Sequence, residues 1–91
     1  MKYDFVVIGA NGLQGKIVSK FLLEDGYSVL LCAISDYGME KLIERPKADF
    51  AEIDLRKMDK AKRVVKRGNS SILINCAVDD FNLLVTQMAL E

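Results

Sequence analysis

Phe5-Val6-Val7-Ile8-Gly9-Ala10-Asn11-Gly12-Leu13-Gln14-Gly15-Lys16 is the stretch whose reading decides the fold. An apolar run of strand length breaks at Gly9, and Gly12 and Gly15 follow at three-residue steps. The period then changes, with Leu13, Ile17, Val18, Phe21 and Leu22 falling on one side of a helix. Strand, glycine turn and helix in this order form a cradle for a dinucleotide pyrophosphate. Glycines let the backbone turn tightly and approach the phosphates, and the helix N-terminus presents free N–H groups and the positive end of its dipole. The usual fingerprint has glycines at its first, third and sixth positions; here they stand at the first, fourth and seventh. The cofactor candidates in this turn are Gly9, Ala10, Asn11, Gly12, Leu13, Gln14 and Gly15. Ala10 and Asn11 would contribute backbone contacts, and Gln14 would face the phosphates from the start of the helix. The competing reading is a plain strand–helix turn.

A second apolar run, Ser28 to Ile34, ends just before Ser35 and Asp36, and Asp36 lies 21 residues beyond Gly15. A carboxylate at that place accepts the adenosine ribose hydroxyls and repels a 2′-phosphate, which favours NAD over NADP and leaves NADP possible. Ser35 would soften the preference. Tyr37 stands where an NADP-preferring site would often place Arg. Tyr37 and Lys41 also share the Tyr-x-x-x-Lys spacing of short-chain dehydrogenase catalysis, but they lie by the adenosine end, so the spacing is a coincidence.

Working outward, the strands are Asp4–Ile8, Ser28–Ile34, Phe50–Leu55 and Ser71–Ala77, and the helices are Gly12–Glu24, Met39–Arg45, Met58–Arg67 and a last one from Phe81 onward. Asp25-Gly26 stops the first helix, and Pro46 ends the second. Met39, Leu42 and Ile43 face inward on the second helix, and Met58, Ala61, Val64 and Val65 on the third. The acids Asp49, Glu52 and Asp54 mark the third strand as a sheet edge. Alternating strands and helices imply right-handed βαβ units. The fold class is therefore α/β, a Rossmann-like three-layer parallel sheet of order 3-2-1-4. Its ligand crevice would lie at the switch point between the Gly9–Gly15 turn and the loop after the fourth strand. There Asn75, Cys76 and Ala77 would line the pyrophosphate and nicotinamide-ribose side, and Asp54 and Leu55 the adenine. A full dinucleotide fold would carry two more strands, so the chain reads as a truncated dinucleotide-binding domain, residues 1–91, whose substrate domain is absent.

Composition narrows the function. Thirteen basic and thirteen acidic residues balance, which gives no bias toward polyanions. The cations around the third helix (Lys57, Lys60, Lys62, Arg63, Lys66, Arg67) read as a solvated face rather than a nucleic-acid patch. No apolar run reaches membrane-span length, no signal peptide is evident, and the expected location is cytoplasmic. With no histidine and two distant cysteines, Cys32 and Cys76, no metal site is expected. The cysteines read as small core residues, held beyond disulfide reach by the intervening first strand. No residue is a candidate for catalysis.

With these residues placed, the chain resembles the nucleotide-binding N-terminal domain of the saccharopine dehydrogenase (saccharopine reductase) family. Val7 to Gly15 is similar to the glycine turn of its broader members, and equally to that of extended short-chain dehydrogenases and NmrA-like regulators, while Ala48 to Leu55 resembles the saccharopine family's third strand. Ile74-Asn75-Cys76-Ala77, then Asn82–Val85 and Met88–Glu91, resemble a strand end and a helix common in that family. Val78-Asp79 stands where those members usually carry Gly-Pro. The resemblance implies the NAD(P)-binding half of an oxidoreductase moving hydride at a C–N centre of an amino-acid-derived substrate, with a missing C-terminal substrate domain as partner. A second reading is a non-catalytic NAD(P)-sensing module, of the NmrA-like or channel-regulatory kind, able to form a homodimer through an open sheet edge. Neither reading calls for a nucleic acid or membrane partner.

Overall fold

The computed structural model describes residues 3–54, 56–67 and 72–76. Four strands, β1 (Phe5–Ile8), β2 (Val29–Ala33), β3 (Ala48–Glu52) and β4 (Leu73–Asn75), alternate with the helices α1 (Leu13–Glu24), α2 (Glu40–Ile43) and α3 (Met58–Arg67). All pairings are parallel, in the order β3-β2-β1-β4. This is the order the sequence predicts. Ile8 lies opposite Cys32 on one side and Asn75 on the other, so the carboxyl ends of β1, β2 and β4 align at one rim.

Side chains alternate across a strand, and here the alternation feeds two separate cores. Val6, Ile8, Leu30, Cys32 and Ile53 meet Ala61 of α3, with Val64 and Val65 packed alongside. Val7, Val29, Leu31, Ala33 and Ala48 meet Leu23 of α1 and Met39, with Leu22, Leu42 and Ile43 alongside. The result is three layers, with α1 and α2 on one face and α3 on the other. Because the central strands are covered on both faces, they read as unbroken apolar runs. Cys32 belongs to the α3 face and Cys76 to the α1 face. Burial pushes the Cys32 thiol up to about 12.

Three expectations are corrected. Strand β3 starts at Ala48 and ends at Glu52 rather than running from Phe50 to Leu55, because β2 fixes its register from Val29↔Ala48 to Ala33↔Glu52. Helix α2 shrinks to a single turn, with Met39 fully buried just ahead of it. The largest correction concerns the buried face of α1. Gly15, Ser19 and Leu23 are buried, whereas Leu13, Ile17 and Phe21 are 78%, 47% and 63% exposed. The cause is the first turn. A Cβ on Gly15 would stand 2.3 Å from the Gly9 carbonyl oxygen and 2.7 Å from the Ala10 Cα, so the helix is seated on that backbone through Gly15. Helical geometry then turns Ser19 and Leu23 onto the sheet and carries Leu13, Ile17 and Phe21, two positions earlier, roughly 200° away. The expected last helix, the Met58 side chain and the Gly68-Asn69 stop lie outside the described residues.

Candidate dinucleotide site

The site is built where β1 gives way to α1. The Gly9 and Ala10 N–H groups both donate to the Cys32 carbonyl, at 2.8 and 3.1 Å, which ties the turn to the end of β2. Gly9 holds a left-handed φ of +77°, open to glycine at no cost. The Gly12 N–H then returns to the Gly9 carbonyl (3.1 Å), and Lys16 N–H bonds to Gly12 (2.9 Å) to start the helix. The first N–H groups of any helix lack intrahelical acceptors, and Gly12, at the N-cap, supplies no side chain to satisfy them. No acid stands in the first turn to neutralise the dipole. What remains is a row of backbone donors with positive potential, suited to a diphosphate.

Gly12 and Gly15 differ in why they are glycine. Gly15 is needed for packing. Gly12 has φ −76° and ψ 170°, a backbone any residue adopts, and a Cβ there would make only an ordinary 3.5 Å contact with Gly9 oxygen. The fold alone therefore gives no reason for glycine at 12. Glycine there leaves the backbone N–H groups at the start of α1 uncovered, a donor set of the chemistry that a pyrophosphate would need.

At the end of β2, Ser35, Asp36 and Tyr37 are exposed. Ser35 Oγ accepts the Tyr37 N–H at 3.4 Å, and the Asp36 carbonyl accepts that of Met39 at 3.0 Å. Among the described residues the Asp36 carboxylate has no partner. Across the switch point, Cys76 N–H bonds to the Ile8 carbonyl at 2.8 Å, placing Asn75 and Cys76 beside the glycine turn. Asn75 is exposed and Cys76 half-buried. Burial raises the Cys76 thiol above its ordinary value. Leu55 and Ala77 lie outside the described residues.

Asp54 makes contacts that its sequence does not announce. Its carboxylate accepts the Arg56 backbone N–H (2.9 Å) and both Nε and Nη2 of the guanidinium (3.0 Å each). Hydrogen bonding to Arg56 holds this carboxyl below the usual carboxylate range. Sequence reasoning also missed Lys16, whose Nζ comes within 2.8 Å of where a Gly38 Cβ would stand. A signal was present, since a cation in the first turn of a helix works against the dipole.

A family model, described as the NAD dependent epimerase/dehydratase family, matches residues 5–83. The chain belongs to this family. Among solved structures, the epimerase/dehydratase chain is similar to the enzyme WbmG of Bordetella bronchiseptica in complex with NAD and UDP, at 13% identity and TM-score 0.76 over 98% of this chain and 34% of that one. It is similar to dTDP-glucose 4,6-dehydratase of Bacillus anthracis in complex with NAD, at 14% identity and TM-score 0.70 over 85% and 27%. It is also similar to UDP-glucose 4-epimerase of Thermotoga maritima with UDP-glucose, at 23% identity and TM-score 0.66 over 82% and 24%. The chain thus spans from 24% to 34% of the length of these proteins. At such identities the likeness establishes the fold. No curated protein matches the sequence. None of these three is a saccharopine dehydrogenase; the expectation of an NAD-binding oxidoreductase domain stands, and the saccharopine family suggested by the β4 and last-helix residues is not supported. Among the described residues no helix is long and apolar enough to cross a membrane.

Proposed function

We propose that this chain is the NAD-binding domain of an epimerase/dehydratase-type oxidoreductase acting on a nucleotide-linked sugar, the class of substrate that the names of its structural relatives carry. The observation that supports the reading is Gly12, where the fold has room for a side chain and a bound pyrophosphate does not. Backbone N–H groups at the start of α1 would hold the diphosphate, and Asp36 the adenosine ribose. Asn75 and Cys76 would flank the nicotinamide ribose, and Asp54 would border the adenine from its Arg56 clamp. When bound, the nicotinamide supplies hydride acceptance and return; the described residues bind and orient it, and none is assigned a catalytic role. The family match gives no support to a saccharopine-type C–N substrate, which is not carried forward.

Calorimetric titration of the 91-residue chain with NAD tests the reading. Saturable binding is expected, and Asp36→Ala should weaken NAD more than NADP, because only NAD keeps the free 2′-hydroxyl that the carboxylate accepts. A folded chain that takes up no NAD would refute the assignment, and an equal loss for both cofactors would remove Asp36 from the ribose site.

A further inference from the structure

We infer that the outward face of α3 binds the phosphate backbone of a nucleic-acid duplex, without reading its sequence. This surface lies on the opposite side of the sheet from α1 and is separate from the dinucleotide site. Residues 56–67 hold seven of the chain's thirteen cations and one of its thirteen acids, a local net of +6 against −6 for the remainder. The zero total therefore conceals a polarised molecule. A balance that argues against a polyanion partner for the chain as a whole does not hold for this face.

The fold turns the segment into a surface. Ala61 is buried against the sheet with Val64 and Val65 packed beside it, which fixes the rotation of α3. At roughly 100° per residue, Lys60, Arg63, Lys66 and Arg67 then fall on the outward half of the helix, and all four are exposed. No ion pair among the described residues includes any of them; Arg63 spends only its Nε, on the Asp59 carbonyl at 3.4 Å. Lys66 and Arg67 stand in the last turn, where cations complement the dipole. Lys60 stands in the first turn of a helix that starts at Met58, where a cation works against it. Helix stability therefore does not account for the whole cluster.

What the face lacks narrows the partner. None of the exposed large hydrophobic side chains among the described residues lies on α3. A helix on a membrane surface inserts an apolar face, a protein partner is held by aromatic or aliphatic anchors, and a single strand stacks its bases on aromatic rings. Neutralising phosphates needs only lysine and arginine. The dimensions agree. Ten residues make α3 about 15 Å long, and over that length each strand of a duplex presents about four phosphates, one for each of the four outward cations.

Fluorescence anisotropy of a labelled DNA duplex of about 20 base pairs, titrated with the 91-residue chain between about 50 and 200 mM salt, tests this. Four neutralised phosphates predict a log–log salt slope of about −3.6, and replacing both Arg63 and Lys66 by Ala should reduce its magnitude by about 1.8. The double charge reversal Arg63→Glu, Lys66→Glu should lose at least about tenfold in duplex affinity. Lys41→Glu, on the other side of the sheet, should leave it within about twofold, and an RNA duplex should bind like the DNA, since only phosphates are read. NAD titrations of the reversed chain should be unchanged, which separates this surface from the cofactor site, and thermal melts establish that each variant is folded. A folded wild type that leaves the duplex free at the lowest salt overturns the inference and leaves the dinucleotide reading intact. So does an equal loss from Lys41→Glu, which would reduce the effect to net charge, or a preference for one duplex over the other. Equal or tighter binding of the single strand, of a glutamate polymer or of vesicles containing phosphatidylserine overturns it in favour of that partner.

Discussion

Gly12→Ala and Gly15→Ala should behave as opposites, although the two glycines stand only three residues apart, at the N-cap and in the first turn of α1. A methyl group on Gly15 would lie 2.3 Å from a backbone oxygen and 2.7 Å from a backbone Cα, and neither can rotate away. Overpacking of this kind costs about 3 kcal/mol, and the better helix propensity of alanine returns about 1 kcal/mol. The net loss of ~2 kcal/mol corresponds to roughly 8–16 °C in Tm for a domain of this size. At Gly12 the same methyl meets one atom at 3.5 Å in an ordinary backbone conformation, so stability should stay within about 0.5 kcal/mol. Gly12→Val should then separate folding from binding. If its side chain denies the pyrophosphate even two charge-assisted hydrogen bonds, the loss is ~3 kcal/mol or more, at least a hundredfold in affinity. Thermal melts and NAD titrations of the three variants decide the matter. A folded Gly12→Val that binds NAD like the wild type would refute the reasoning, as would a Gly12→Ala melt lowered as far as that of Gly15→Ala.

Two further outcomes follow from burial. The Ser19 hydroxyl is fully buried and has no hydrogen-bond partner among the described residues, so Ser19→Ala should stabilise by about 1–2 kcal/mol, read as a higher Tm; a lower Tm would show that the hydroxyl is satisfied. The Cys32 thiol, at about 12 against an ordinary 9.0, and the Tyr3 hydroxyl, at about 12 against 10.0 through burial and its hydrogen bond to Asp49, both have folded-state values above their unfolded ones. Their contribution is full below about pH 9 and is lost as pH rises toward 12, with Cys32 alone worth of order 4 kcal/mol. Denaturant melts from pH 8 to 12 should show that decline flattened in Cys32→Ala; an unchanged slope would mean that the buried thiol does not drive it.

Much of the architecture was legible because each element carried its own period. The unbroken runs Phe5–Ile8 and Val29–Ala33 announced strands covered on both faces, and Gly9, Gly12 and Gly15 announced a turn. The buried face of α1 was not legible, for a specific reason. Hydrophobicity selects Leu13, Ile17 and Phe21, but the close seating of Gly15 on Gly9 and Ala10 sets the rotation of the helix, and a glycine adds nothing to an apolar stripe. The site divides in the same way. The backbone cradle could be read from spacing, whereas the Asp54–Arg56 fork and the reach of Lys16 to Gly38 depend on side-chain paths through space. The position of Asp36 just beyond the end of β2 could be read because it follows from topology alone.

The strand order also has a consequence for synthesis. Val6 of β1 pairs with Leu30 on one side and Leu73 on the other. On a ribosome adding about 5–20 residues per second, β1 and β2 can dock early, while the other edge of β1 waits roughly 3–13 s for its partner. Throughout that interval the nascent chain offers an apolar, hydrogen-bond-ready strand edge beside the glycine turn. Any factor that guards this protein during translation would find its target along that edge, on the strand whose carboxyl end carries the proposed dinucleotide site.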